Sequence, residues 1–361
     1  VFDANFKACE EVIKMAAEAR VGKSEWEVKV PEKPLKEKLY FENLKAKVID
    51  TNLCSHCLTC ACVCPVDGII AVDGVDFPDY EDRCTDCGAC VRVCPRFVYE
   101  PRSGLGSYID FIAGRSKRFA GQDGAMVTEL IVSAMEMGMI DRGLFVGRDE
   151  KWATEIFHVR DPEQLAIPTL GGTKYTFATV LPELKKAVRF TKRGIGVIGT
   201  PCIVSGVRKL QQEFPIFREK VKLVVGLFCT ENFHYDDISK FLQEKGVDFD
   251  KLIKTDITKG KFIATMSDGE KVKFKVKELE EILPSGCNVC TDFTAVESDA
   301  SVGSVGSEKG FSTVAVREEP AKKVIEYIKE KGYADFGEAD TSQLDFLIGH
   351  KKKREENIKK D

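Results

Sequence analysis

The sequence predicts an α/β protein in unequal parts, and two observations carry that prediction. Two matched cysteine runs stand thirty residues apart, Cys54-x2-Cys57-x2-Cys60-x3-Cys64-Pro65 and Cys84-x2-Cys87-x2-Cys90-x3-Cys94-Pro95. After Gly104, short β-branched runs alternate with helical patterns, the texture of a mixed, largely parallel sheet covered by helices. With 361 residues, 43% hydrophobic and 31% charged, the chain can bury the cores of about two to three domains.

Residues 3–20 place Phe6, Cys9, Ile13, Ala16 and Ala17 at helical spacing, which predicts an amphipathic helix with Cys9 as a packed thiol. From Lys23 to Lys47 lysine and glutamate dominate around Pro31 and Pro34, so 1–47 reads as that helix and an extended linker.

The cysteine unit spans 48–102, and its halves repeat: a run of ligands, then a short apolar strand such as Gly68–Val72 or Phe97–Tyr99. Thiolates are the soft ligands that a cubane of iron and sulfide takes, and the close spacing presents three of them from one loop. In doubled runs the fourth cysteine crosses over. Cys54, Cys57, Cys60 and Cys94 are thereby assigned to one [4Fe–4S] centre, and Cys84, Cys87, Cys90 and Cys64 to the second. Zinc has no use for a doubled, proline-terminated run. Cys62 falls outside the ligand spacing and reads as packed; His56 is either a hydrogen-bond donor to the first cluster or an exposed loop residue.

In 103–350 the expected strands are Tyr108–Ala113, Gly143–Arg148, Gly194–Gly199, Lys222–Phe228 and Thr313–Arg317. The expected helices are Ala125–Met137, Leu181–Phe190, Val204–Glu213, Asp236–Lys245 and Ala321–Lys331. Leu252–Val276 reads as an antiparallel insert turning at Ser267-Asp-Gly269, and 351–361 as a charged, solvated tail.

Four further cysteines stand in this domain: Cys202, Cys229, and the Cys287-x2-Cys290 pair. Strand ends in an open α/β sheet are where binding sites collect, so these four form a candidate third cluster site; a zinc site, a redox pair or core thiols fit the spacing as well. Gly194-Ile-Gly196-Val-Ile-Gly199 matches the dinucleotide fingerprint by letter, yet its β-branched residues make it the strand itself, so a Rossmann site is not expected. Better cradles for an anionic ligand are Gly121-Gln-Asp123-Gly124, which opens a helix, and Gly172-Thr173-Lys174-Tyr175. A glycine-rich stretch with Gly303 and Gly306 offers backbone approach to a flat ring.

Taken together, Gly121-Gln-Asp-Gly with Thr128 in the next helix, Gly172–Tyr175, Gly199-Thr200-Pro-Cys202, Gly226-Leu-Phe-Cys229, Cys287-x2-Cys290-x-Asp-Phe-Thr-Ala295 and Gly303–Gly310 resemble the coenzyme F420 hydrogenase/dehydrogenase β-subunit family. The resemblance implies a non-Rossmann FAD domain, coenzyme F420 as substrate, and a flavin-proximal [4Fe–4S] cluster on Cys202, Cys229, Cys287 and Cys290, three clusters in all. FAD contacts are implied at Gly121, Asp123, Gly124, Thr128, Gly172, Thr173, Lys174, Tyr175, Thr200, Gly303 and Gly306. The family's usual second glycine and its usual glutamine are here Ala125 and Ile203.

The N-terminal ferredoxin unit looks like that of F420H2 dehydrogenase input subunits. Expected partners are therefore subunits of an F420H2 dehydrogenase, hydrogenase or heterodisulfide reductase-type complex, or ferredoxin. The same resemblance admits a ferredoxin-fed flavin reductase with its own substrate and a flavin-free relay subunit. A formal charge of −4 lacks the basic footprint of a nucleic-acid binder. No apolar stretch nears the ~20 residues of a membrane span, so a cytoplasmic protein is expected, docking peripherally if a membrane complex is its partner.

Overall fold

The computed structural model describes residues 39–70, 79–80, 84–167 and 170–358. The helix expected over 3–20, with Cys9, lies outside these residues, as does most of the expected linker.

The described chain opens with α1 (Leu39–Leu44) and one π turn (Lys45–Ile49), where the sequence suggested an extended linker up to Lys47. The reason is a four-residue repeat: Tyr40, Leu44 and Val48 share one face, and Leu44 and Val48 are buried in the core of the cysteine unit. The two halves of that unit repeat in their cysteine loops and short helices, but the strand expected at Phe97–Tyr99 is a turn, since the segment finds no strand to pair with among the described residues. Helix α2 (Thr59–Val63) and a two-residue strand β1 (Ile69–Ile70), paired antiparallel with β2 (Asp79–Tyr80), are followed by α3 (Ala89–Val93). The left-handed backbone positions repeat too, His56 and Leu58 in the first run and Asp86 and Gly88 in the second. These kinks coil each loop so that successive cysteines face inward.

Beyond Asp110 the elements are β3 (Asp110–Ser116), α4 (Met126–Glu136), β4 (Arg142–Arg148), β5 (Thr154–Val159), α5 (Val180–Phe190), β6 (Ile195–Gly199), α6 (Pro201–Glu213), α7 (Pro215–Lys220), β7 (Val221–Leu227) and α8 (Tyr235–Glu244). Three antiparallel strands form the insert, β8 (Leu252–Thr258), β9 (Lys261–Met266) and β10 (Lys271–Lys275). Then come α9 (Ser285–Asn288), β11 (Ala300–Gly303), β12 (Ser312–Val316), α10 (Glu319–Lys331), β13 (Ala334–Glu338) and α11 (Asp345–Lys353).

Eight strands make one mixed sheet in the order β13-β3-β12-β11-β7-β6-β4-β5. Its centre, β4, β6, β7 and β11, is parallel; β3 runs the same way, and β5, β12 and β13 run against them. The glycine-rich 194–199 segment is strand β6, as its β-branched residues imply, with Gly196 leaving room for Ile131 and Ile140.

Helices α4 and α10 cover one face of the sheet, with Leu130, Ile131, Val324 and Ile328 in its core. On the other face α5 and α6 do so, and they carry the cysteine unit on their backs: Leu181, Leu184, Val204 and Val207 share one apolar cluster with Cys62, Val63, Ala89 and Val93. Gly206 permits the closest approach, since a Cβ there would overlap the Thr59 hydroxyl. Arg92 is paired with Glu213 across the same junction. Cys62 is 1% exposed inside this shared core, where burial pushes its thiol up to about 12.

Candidate functional site

Three cysteine sets and one edge of the sheet make up the site. Cys54, Cys57, Cys60 and Cys94 line one cavity with Leu44, Val48 and Ile49; Cys64, Cys84, Cys87 and Cys90 line another beneath Tyr40. The two cavities group the eight cysteines four and four, with Cys94 beside the first run and Cys64 beside the second. Among the described residues no three His, Cys, Asp or Glu side chains close tightly enough to hold a single metal ion. Four thiols spread around a cavity suit a cubane, whose ligands stand well apart, better than one zinc. Backbone amides already point at sulfur: Gly68 N donates to Cys64 Sγ at 3.2 Å and Asp86 N to Cys84 Sγ at 3.4 Å.

The third set assembles at the carboxyl edge of the sheet. Cys202 sits in the first turn of α6 after β6, Cys229 follows β7, Cys287 lies on α9 and Cys290 just past it. Each feels the charge of others in the set. Burial raises the Cys229 thiol well above its ordinary value and pushes Cys202 up to about 12. At Cys290 burial pulls the same way, but Lys351 and Arg96 outweigh it and hold that thiol low.

This set abuts the first: a Cβ at Gly286 would overlap the Cys54 carbonyl oxygen, and Cys57 is the leading charged neighbour of Cys202. Cys60, in turn, feels Cys90 of the second.

The same edge gathers the loops after β3, β4, β6, β7 and β11. Gln122, in the first of these loops, joins it to the segment before α5 and to the insert: its Oε1 accepts from Thr173 N and Oγ1 at 3.0 Å, and its Nε2 donates to Asp256 at 3.2 Å. Asp123 lies half-buried beside Asp256 and Lys254, its carboxyl raised by burial and then by Asp256. Tyr175 is raised by burial, then by Asp256.

Protein-family comparison adds three matches. Residues 111–185 match the N-terminal model of the coenzyme F420 hydrogenase/dehydrogenase beta subunit, 192–342 match its C-terminal model, and 46–96 match a 4Fe-4S dicluster domain. The chain is 30% identical to one of the F(420)H(2) dehydrogenase subunits of Methanosarcina mazei, over 79% of this chain and 85% of that one. The chain belongs to the coenzyme F420 hydrogenase/dehydrogenase beta-subunit family. It is 34% identical to the coenzyme F420-dependent sulfite reductase of Methanocaldococcus jannaschii over 79% of its own length, and spans 47% of that longer protein. A chain of the F420-reducing [NiFe] hydrogenase complex from Methanosarcina barkeri superposes with a TM-score of 0.66 at 29% identity, covering 72% of this chain and 94% of that one. These relatives are oxidoreductases, and so is this family member.

Several motif residues of the family serve the fold here. Gly124 packs against the backbone of Gly114 and Ser312, and Gly303 lies under the ring of Phe228, which packs at 5.3 Å on Phe293. Gly306 and Gly172 hold left-handed backbone, at φ of 99° and 76°. Ala125, the family's second glycine, keeps the left-handed conformation at φ 54° as the N-cap of α4. Ile203, where the family has glutamine, is buried under Gly199.

Thr200 Oγ1 lies 3.2 Å from Cys202 Sγ, and Thr128 is half-buried on α4. Lys174 is no solvated lysine: its Nζ donates to Val146 O and Leu170 O, and burial, with Arg148 nearby, lowers it to about 8. His56 is buried too, edge-on to His234 at 4.6 Å, and burial, then His234, lowers it to about 3.

Three site residues have no motif to announce them. Arg96 is 5% exposed and lines the space beside Cys202 and Cys290 with its guanidinium 3.9 Å over the Tyr99 ring. Lys351 and Arg354 belong to what the sequence marked as a solvated tail. Instead α11 and the turn after it fold back, with Lys351 Nζ on Thr230 O at 2.9 Å and Arg354 Nη1 on Cys287 O at 2.9 Å. The apolar stems of these long side chains make such burial possible, and the carbonyls beside Cys229 and Cys287 receive their charges.

Proposed function

We propose that the chain moves a hydride between coenzyme F420 and FAD and passes electrons singly through three [4Fe–4S] clusters, to or from a partner complex or ferredoxin. The single observation that carries this reading is the unbroken succession of cysteine sets, from the ligand-binding sheet edge through Cys202–Cys290 and Cys54–Cys94 to Cys84–Cys64. A deazaflavin gives two electrons at once and an iron–sulfur cluster takes one, so FAD, when bound, supplies the two-to-one conversion.

The sheet edge has residues that fit such a nucleotide. Thr176 Oγ1 and Thr313 Oγ1 are buried there with no hydrogen-bond partner among the described residues, Asp123 offers acceptors for hydroxyls, and the remaining Nζ donor of Lys174 offers a cation, with Lys254 close by on Asp256 at 3.6 Å. The insert β8–β10 is fastened to this edge through Thr255, whose hydroxyl donates to Thr173 O at 2.8 Å.

The test is an anoxic titration of the purified holoprotein with reduced coenzyme F420, following flavin and iron–sulfur absorbance together. Bleaching of both is expected. A bound flavin that stays oxidised throughout overturns the reading.

A further inference from the structure

Arg96 and Lys351 are cations in places that ordinarily reject them. Lys351 is 1% and Arg96 5% exposed, yet among the described residues neither forms an ion pair with a carboxylate. Arg96 Nη1 is buried with no hydrogen-bond partner among the described residues. A buried charge without a full partner is strongly disfavoured, so something else must offset these two. Asp292, buried nearby, lines one space with Arg96 and feels the charge of Lys351, and the other neighbours of the two cations are thiol sulfurs. Arg96 stands on the Cys202 side of the third set, lining one space with Cys202 and Cys290, and it also lines the cavity of Cys54, Cys57, Cys60 and Cys94. Lys351 stands on the Cys229 side, held by the carbonyl of Thr230, and Arg354 closes the same flank on Cys287 O.

We propose that Arg96 and Lys351 are positioning residues that favour the reduced state of the third cluster from two flanks, making it the chain's electron-collecting station. The inference rests on the third cluster proposed above. With both groups bound, each of two successive one-electron transfers from the reduced flavin would add one negative charge to the cluster; no bond to the cluster would form or break, the second transfer would leave the flavin oxidised, and the hydrogen on the flavin nitrogen would leave as a proton. Fixed cations at close range in a poorly screened interior meet that charge without reorganisation. Arg96 also touches the next cysteine set, so it favours the reduced state of the first ferredoxin cluster as well, whereas Lys351 acts on the third alone.

The experiment is an EPR-monitored redox titration of anoxic holoprotein, comparing wild type with Arg96→Gln, Lys351→Met, Arg96→Lys and Lys351→Arg. The third-cluster signal is assigned by its loss in Cys229→Ala. At a fixed ambient potential the reduced-to-oxidised ratio of that signal is expected to fall about tenfold in each neutral variant, which for one electron is about 59 mV. The charge-keeping variants should stay near wild type. Lys351→Met should leave the ferredoxin signals in place, while Arg96→Gln shifts one of them.

An unchanged third-cluster potential in a neutral variant with full iron overturns the inference. If the neutral variants lose that cluster while the charge-keeping ones retain it, the required charge is established by that route; loss in both classes shows packing roles and overturns it. Wild type holding only about eight irons per chain instead of about twelve would remove the third cluster itself and with it the reading beneath.

Discussion

Gly286 is the residue at which the first and third cysteine sets meet. It has no room for a side chain, because a Cβ would occupy the space of the Cys54 carbonyl oxygen, and both neighbours are backbone that cannot swing aside. Gly286→Ala is therefore expected to push α9 off the first cysteine run and carry Cys287 and Cys290 with it. The expected outcome is loss of about a third of the iron, with a midpoint of thermal unfolding several degrees lower.

Lys174 makes a second prediction, read through pH. Burial and then Arg148 disfavour its ammonium form, so the native chain gives up this proton near pH 8, below the ordinary 10.5. Between those values the unfolded chain binds more protons than the native one, so this group's penalty is full below pH 8 and is relieved as pH rises through the window. Wild type should therefore gain stability relative to Lys174→Met between pH 8 and 10.5, measured by denaturant unfolding at both ends. Parallel curves would show that the ammonium is not disfavoured.

At the scale of elements, the ligand edge is a junction of loops held by few bonds. Gln122 joins the loop after β3 to the segment before α5 and to β8. Gln122→Ala removes three hydrogen bonds worth about 1 kcal/mol each and frees the insert to drift. FAD affinity is expected to fall about tenfold or more by flavin-fluorescence titration, with iron content unchanged; equal affinity would place the flavin away from this junction.

How much of these elements the sequence reveals depends on what built them. The central strands and their helices are readable because β-branched runs and the 3.6-residue period are local signals, and β6 is identified against its own glycines by the same logic. Strand β11 is missed since Ala300-Ser-Val-Gly303 is short and set among glycines and serines; only its neighbours β7 and β12 make it a strand. Strand β5, at the sheet margin, is held by pairing to β4 alone. The twelve cysteines are readable from spacing and motif. Arg96, Lys351 and Arg354 are not, because a buried cation's sequence signature is the same as that of a solvated one.

For the whole molecule, the decisive feature is that the cysteine unit and the sheet domain, each with a cluster of its own, also share one. The boundary that the sequence suggests near 103 is crossed by one apolar cluster: Val63, Ala89 and Val93 on one side, Leu181, Leu184, Val204 and Val207 on the other. The connector after the cysteine unit is fastened as well. Arg317 donates to Leu105 O at 2.6 Å and Ser107 O at 2.8 Å, and Thr291 to Arg102 O at 2.6 Å.

Each buried Val or Leu at such a junction contributes roughly 1.5–3 kcal/mol, so parting the two units exposes more apolar surface than a sheet domain stable by about 5–15 kcal/mol can tolerate. A fragment beginning at residue 104 is accordingly expected to aggregate, even though it holds the whole sheet and all four cysteines of the third set. The full holoprotein should unfold in one calorimetric transition rather than two. Polar replacement at the bared face, Leu184→Gln with Val207→Gln, should restore solubility to the fragment and weaken the full chain. Two resolved transitions in the full chain, or a soluble unmodified fragment, would show instead that the units are only tethered; the fixed spacing between the Cys202 and Cys54 sets would then need another cause.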